Sequence, residues 1–161
     1  MMKTKRLALL SSLLLLPILS VSAEDAAAAE DAAAANEIEI KPDAATGMKW
    51  DTTEITVKAG ETVKITLNNE SNIPLQHNLL ILKPGTLQAV GMLANSMLTD
   101  PTAMSKGYIP ESDDILFATS LVNHGESEVL EFTAPEEPGE YPYTCTFPGH
   151  WMVMQGVMTV E

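Results

Sequence analysis

The sequence predicts an all-β sandwich of about eight short strands with Greek-key connections and one inserted helical segment. Three observations lead there. Apolar and polar residues alternate in short runs from Glu37 onward, Gly, Pro and Asn turn signals separate the runs, and a single stretch changes to a helical period. Strands that outnumber helices so heavily pack as two antiparallel-dominated sheets around one core.

The elements follow in chain order. Ile38 and Ile40, then Ile55 and Val57, then Val63, Ile65 and Leu67 mark the first three strands, with breaks at Ala59-Gly60 and Asn68-Asn69. Leu79-Leu80-Ile81-Leu82 is continuously apolar, as a strand covered on both faces must be, and Pro84-Gly85 ends it. From Thr86 to Met97 the residues Leu87, Val90, Ala94 and Met97 share one helical face before Asp100-Pro101 stops the pattern. Strands resume at Ile115-Leu116-Phe117, Val129 to Phe132, Tyr141-Pro142-Tyr143 and Gly156 to Val160.

The ends carry different information. Lys3, Lys5 and Arg6 precede an apolar run from Leu7 to Leu19 and the small-residue pattern Val21-Ser22-Ala23, so residues 1–23 are expected to be a cleaved secretory signal peptide and the protein periplasmic. That run is short for a bilayer span, and a transmembrane anchor is not expected. Residues 24–36 are nearly all Ala, Glu and Asp, a composition with little to bury, and read as a tether. Residues 37–161 are then one domain, which at that length has a single core and is expected to be a monomer. Of nine Lys and Arg, three leave with the leader, so six face 22 Asp and Glu, a net charge of about −16. Such acidity makes nucleic acid a poor partner. It fits either a solvated surface or a face that meets a basic partner.

Cys145 is the single cysteine and can form no intrachain disulfide. An exported lone thiol is an intermolecular bridge, a nucleophile, an inert buried residue or a metal ligand, and its neighbourhood chooses. The run Cys145-Thr146-Phe147-Pro148-Gly149-His150-Trp151-Met152-Val153-Met154 sets a thiolate, an imidazole and a thioether on one loop between two strands. His77, in Gln76-His77-Asn78 at the start of the continuously apolar strand, supplies a second imidazole if both segments reach the same end of the sandwich. Two His, one Cys and a weak axial Met suit mononuclear copper; zinc prefers a closed Cys/His tetrahedron or an open water position.

His77-Asn78, followed far downstream by Cys145 to His150 and then Met154, resembles the azurin and auracyanin branch of the cupredoxins, the blue-copper proteins. The resemblance covers nearly the whole domain. It implies His77, Cys145 and His150 as strong equatorial ligands of one type 1 copper and Met154 as the axial one. The backbone carbonyl opposite the Met would belong to Gln76, where azurins carry glycine. The backbone N–H of Asn78 would donate to the Cys sulfur, and its side chain would tie the ligand segments together through Thr146. The azurins' structural disulfide cannot form here.

Other readings compete residue by residue. Met152 has the wrong spacing from His150 for the axial role, and His124, in the turn Asn123-His124-Gly125, is given no ligand role. Trp151 reads as core in isolation; with Phe147, Pro148 and Met152 it is expected to form an apolar patch through which a redox partner reaches the site, as a small transient interface does. The expected function is one-electron transfer between redox proteins, such as a c-type cytochrome or a copper or haem oxidoreductase, without substrate turnover. A periplasmic copper chaperone or store is the alternative, and would want an exposed, exchangeable Cu(I) site. A copper enzyme would need further histidines, and only His124 is spare.

Overall fold

The computed structural model describes residues 36–161. The expected signal peptide and all but the last residue of the expected tether lie outside the described residues. Eight strands are found among those described: β1 (Asn36–Ile40), β2 (Glu54–Val57), β3 (Thr62–Asn68), β4 (Leu80–Leu82), β5 (Ile115–Ala118), β6 (Ser127–Thr133), β7 (Gly139–Thr144) and β8 (Gln155–Val160). They form a three-stranded sheet, β1-β3-β6, and a five-stranded sheet, β2-β8-β7-β4-β5.

Most neighbours are antiparallel, but β1 pairs with β3 and β2 with β8 in parallel. Periodicity gives no hint of this. It follows from the chain path: β1 and β2 are consecutive yet belong to different sheets, so neither is joined by a hairpin to the strand it pairs with.

The inward positions match the alternation. Val63, Ile65 and Leu67 of β3 face Ile55 and Val57 of β2, Met158 and Val160 of β8, and Tyr141 and Tyr143 of β7 across one core, in which Ile40 and Ile81 also take part. Strand β4 is apolar on both faces for a visible reason. Ile81 enters the core between the sheets, whereas Leu80 and Leu82 pack outward against Val90 of the helix α1 (Leu87–Ser96). Met97 starts a 3-10 turn, Met97–Thr99, and is buried like Val90, Gly91 and Ala94.

Register fixes which end of the sandwich carries the chemistry. In the larger sheet Leu80, which opens β4, lies opposite Thr144, which closes β7, and Thr144 lies opposite Gln155, which opens β8. His77 and Cys145 therefore emerge side by side, and the loop 145–154 closes over the same end. The smaller sheet is aligned with it by Asn69, just past β3, whose amide donates to the carbonyl of Val122 (3.1 Å), while Val122 forms a backbone bridge with His77. Asn36, opposite Val63 near the start of β3, lies at the far end.

Candidate metal centre

The loop between β7 and β8 is a closed turn. His150 N–H donates to the Phe147 carbonyl (2.9 Å), Val153 and Met154 N–H donate to the His150 carbonyl (2.9 and 2.8 Å), and Cys145 N–H donates to the Met154 carbonyl (3.2 Å). Thr144 Oγ1 also donates to the Met154 carbonyl (2.9 Å). Cys145 and Met154 thus sit at the two stems of the loop, and His150 at its tip.

His77 arrives from the other segment, held by reciprocal backbone bonds with Val122 (3.1 and 2.8 Å). Asn78 joins the two segments. Its Oδ1 accepts from Thr146 N–H (2.8 Å), and its Nδ2 donates to Thr146 Oγ1 (3.0 Å) and to the Gly107 carbonyl (2.8 Å). The backbone N–H groups of Asn78 and Phe147 point at the Cys145 sulfur and donate to it.

The result brings three donors together. Cys145 Sγ lies 3.8 Å from His77 Nδ1 and 3.5 Å from His150 Nδ1. The three ligating atoms all fall within 4.8 Å of one another, and all three residues are buried. A first-row ion held about 2.0–2.3 Å from nitrogen and sulfur keeps such atoms roughly 3.6–3.8 Å apart at near-trigonal angles, so one ion fits between them. Soft sulfur with two imidazoles favours copper over the oxygen-seeking cations. Met154 is fully buried on the same loop.

Burial sets the protonation of the metal-free site. It pushes the Cys145 thiol up to about 12, against the opposing pull of the N–H groups of Asn78 and Phe147. It lowers His150 to about 4, and lowers His77 to about 4 with a smaller contribution from the neighbouring His150. Metal-free protein would therefore carry a neutral thiol and neutral imidazoles at pH 7, and binding an ion must displace the thiol proton.

The remaining expected residues divide. Gln76 precedes His77, and its side chain donates to Asn123 Oδ1 (2.7 Å). Phe147 and Pro148 are half-buried, with the Phe147 ring 4.9 Å from that of His150. Met152 is 61 % exposed. Trp151 corrects the expected patch: it is only 6 % exposed, because its indole turns inward against α1, and so it contributes no outer surface. His124 is exposed, with Nε2 2.7 Å from the Ser71 carbonyl, away from the ligands.

Two neighbours escape sequence reasoning. Val153 is 48 % exposed beside Met152 and widens the apolar surface. Tyr108 packs edge-on against Phe147 (5.3 Å), which makes a row Tyr108, Phe147, His150. Tyr108 takes φ 56°, a conformation uncommon outside glycine, and the preceding Gly107 lends its carbonyl to Asn78. The only sequence signal for this corner is Gly107.

A thiolate and two imidazoles converging on one buried point at the end of a two-sheet sandwich define a single type 1 copper site. Comparison with known proteins agrees: the family model for copper binding proteins, plastocyanin/azurin family, matches residues 36–161, and the chain belongs to that family. Auracyanin-A of Chloroflexus aurantiacus is 37 % identical over 115 residues, 71 % of this chain and 68 % of its own length. An azurin of Pseudomonas fluorescens biotype C is 27 % identical over 135 residues, 78 % of this chain and 99 % of its own. Among solved structures, dithionite-reduced auracyanin from Roseiflexus castenholzii superposes with a TM-score of 0.67 at 36 % identity, covering 79 % of this chain and 98 % of that one. Auracyanin A, described as a "blue" copper protein, gives 0.68 at 36 % identity over 78 % and 98 %. The protein is a blue-copper electron-transfer protein of this family.

Two outcomes follow from the pocket. Asn78→Leu strands the Thr146 N–H and the Gly107 carbonyl, and should lower stability by about 2–4 kcal/mol in urea titration; a loss within error of zero would show that the bracket is dispensable. For the metal-free protein, both imidazoles titrate lower in the folded than in the unfolded chain. Their stabilisation is complete above about 6.5 and is lost as pH falls toward about 4. Thermal midpoints of apoprotein should already decline between pH 6.5 and 5, above the carboxylate range, and a flat profile there would contradict the burial of neutral imidazoles.

Proposed function

We propose that the protein is an exported carrier that accepts and passes on single electrons between redox proteins, a c-type cytochrome or a copper or haem oxidoreductase, and turns over no substrate. His77, Cys145 and His150 would hold the copper, with Met154 and the Gln76 carbonyl as its weaker partners. Copper supplies the Cu(II)/Cu(I) couple; the residues hold the donor atoms in place in both states. The two ligand segments are bracketed by Asn78 and backed by strands, which favours small motion on electron transfer.

The observation that carries this reading is the character of the site's surroundings. The ligands are sealed from bulk water, with His77 fully buried and His150 3 % exposed. The segments 71–77, 103–110, 118–125 and 146–153 contain no carboxylate and, histidines apart, one base, Lys106; Glu70 and Glu126 border two of them, and 18 of the 22 acidic residues fall within 36–161. A neutral apolar rim of Phe147, Pro148, Met152 and Val153 around His150 suits a partner that must come close and leave quickly. A cleft of about 830 Å³ is lined by Lys83, Phe117, Glu136 and Tyr141, none of them a ligand, so it offers no substrate chamber at the metal. A copper store would need exposed ligands, the opposite of this arrangement.

Export is supported by the basic and apolar leader, Lys3 to Ala23. Asn36 enters β1 at the end of the domain opposite the ligands.

Stopped-flow reduction of the copper-loaded protein by a c-type cytochrome tests the proposal. Met152→Glu, which places a charge on the rim without touching a ligand, should slow the bimolecular step by roughly tenfold or more and leave the absorption spectrum unchanged. An unchanged rate would place the docking face elsewhere.

A further inference from the structure

Trp151 follows the expected ligand His150 directly, yet its indole leaves the loop and packs on a different element. It lies on α1 over Gly91, where an added Cβ would collide with the ring atoms Cδ2, Cε3 and Cζ3. Its Nε1–H donates to Asn95 Oδ1 (2.9 Å). Its carbonyl accepts from Gln155 Nε2 (2.8 Å) and Thr144 Oγ1 (3.4 Å). Gly91 and Asn95 are four residues apart and so share one helix face. Glycine inside a helix costs about 1 kcal/mol relative to alanine. A residue that lets the indole lie against the helix backbone accounts for glycine at this position.

We infer that Gly91 and Asn95 of α1 form a seat for Trp151, and that Trp151 is a positioning residue that fixes the copper-binding loop. The inference rests on the copper reading above. His150 and Met154 are one and three residues from Trp151, and the bonds from Val153 and Met154 N–H to the His150 carbonyl close the segment into a turn. Cys145 and His77 have separate anchors, the Asn78 bracket and the Val122 bridge. Met154 is tied to the Cys145 stem by the Cys145 N–H and the Thr144 hydroxyl, so displacing the indole shifts His150, at the tip of the loop, against Cys145, Met154 and His77. The inserted helix, which carries no ligand itself, thereby sets where the His150 imidazole stands relative to the other donors.

The test compares copper-loaded wild type with Trp151→Phe, Asn95→Leu and Asn95→Asp by visible absorption, by the copper hyperfine splitting in electron paramagnetic resonance and by reduction potential, with apoprotein melting alongside. Trp151→Phe removes the indole N–H and can weaken folding; Asn95→Leu acts at a partly exposed position and removes only the acceptor. Both should change the balance of the thiolate-to-copper bands, shift the potential and speed copper release to a chelator by roughly tenfold, the scale of one lost buried hydrogen bond. Asn95→Asp keeps an acceptor for the indole and should retain the wild-type spectrum. Variants that melt lower but keep wild-type bands, hyperfine splitting and potential would overturn the inference and reduce Trp151 to packing. A wild-type protein that takes up Cu(II) with no thiolate band would overturn the copper reading and this inference with it.

Discussion

The structure depends on a four-point bracket made by one buried amide. The Asn78 side chain accepts from the Thr146 N–H and donates to the Thr146 hydroxyl and the Gly107 carbonyl, while its backbone N–H donates to the Cys145 sulfur. Those contacts join three segments that no strand ladder joins at that point. Every partner is buried or half-buried, so breaking one bond leaves a polar group dehydrated, which makes the bracket far more stabilising in place than its net contribution to folding suggests. Residues 68 positions apart in sequence, His77 and Cys145, consequently meet with their donor atoms 3.8 Å apart.

From that constraint the chemistry follows. A thiol so deeply buried resists ionisation until a metal replaces its proton, and imidazoles buried beside it stay neutral and available as ligands. Backbone N–H donors at the sulfur stabilise the thiolate once it forms and help set the potential of the bound metal. The side chains next to His150 on its loop, Phe147, Pro148, Met152 and Val153, carry no charge, so the approach to His150 is apolar in an otherwise acidic chain. The row Tyr108, Phe147, His150 lines that approach, with Tyr108 held in a left-handed backbone conformation that the Gly107 contact to Asn78 helps to maintain.

Much of this is readable from the chain, for reasons that can be named. Strands whose inward residues alternate, such as β3 and β8, announce themselves, and the helical period of Val90, Ala94 and Met97 marks the one interruption. The candidate ligands are readable because Cys145, His150 and Met154 lie within ten residues on one loop, and because the resemblance supplies a role for His77 and Asn78. What is not readable depends on distant partners. Trp151 looks like part of an exposed patch until Gly91 and Asn95, some 60 positions earlier, are seen to receive it. The parallel pairing of β1 with β3 and β2 with β8 comes from how the chain crosses between sheets, and alternation carries no trace of strand direction. Tyr108 lies in an irregular segment where neither period applies.

All of this chemistry requires that the buried Cys145 sulfur binds copper between two imidazoles. Visible absorption of the purified protein after addition of Cu(II), with Cys145→Ser as the control, tests it most directly. An intense blue thiolate-to-copper band is expected at one copper per chain, absent in Cys145→Ser. A colourless wild-type protein that nonetheless binds Cu(I) would contradict it and identify a copper-handling protein instead.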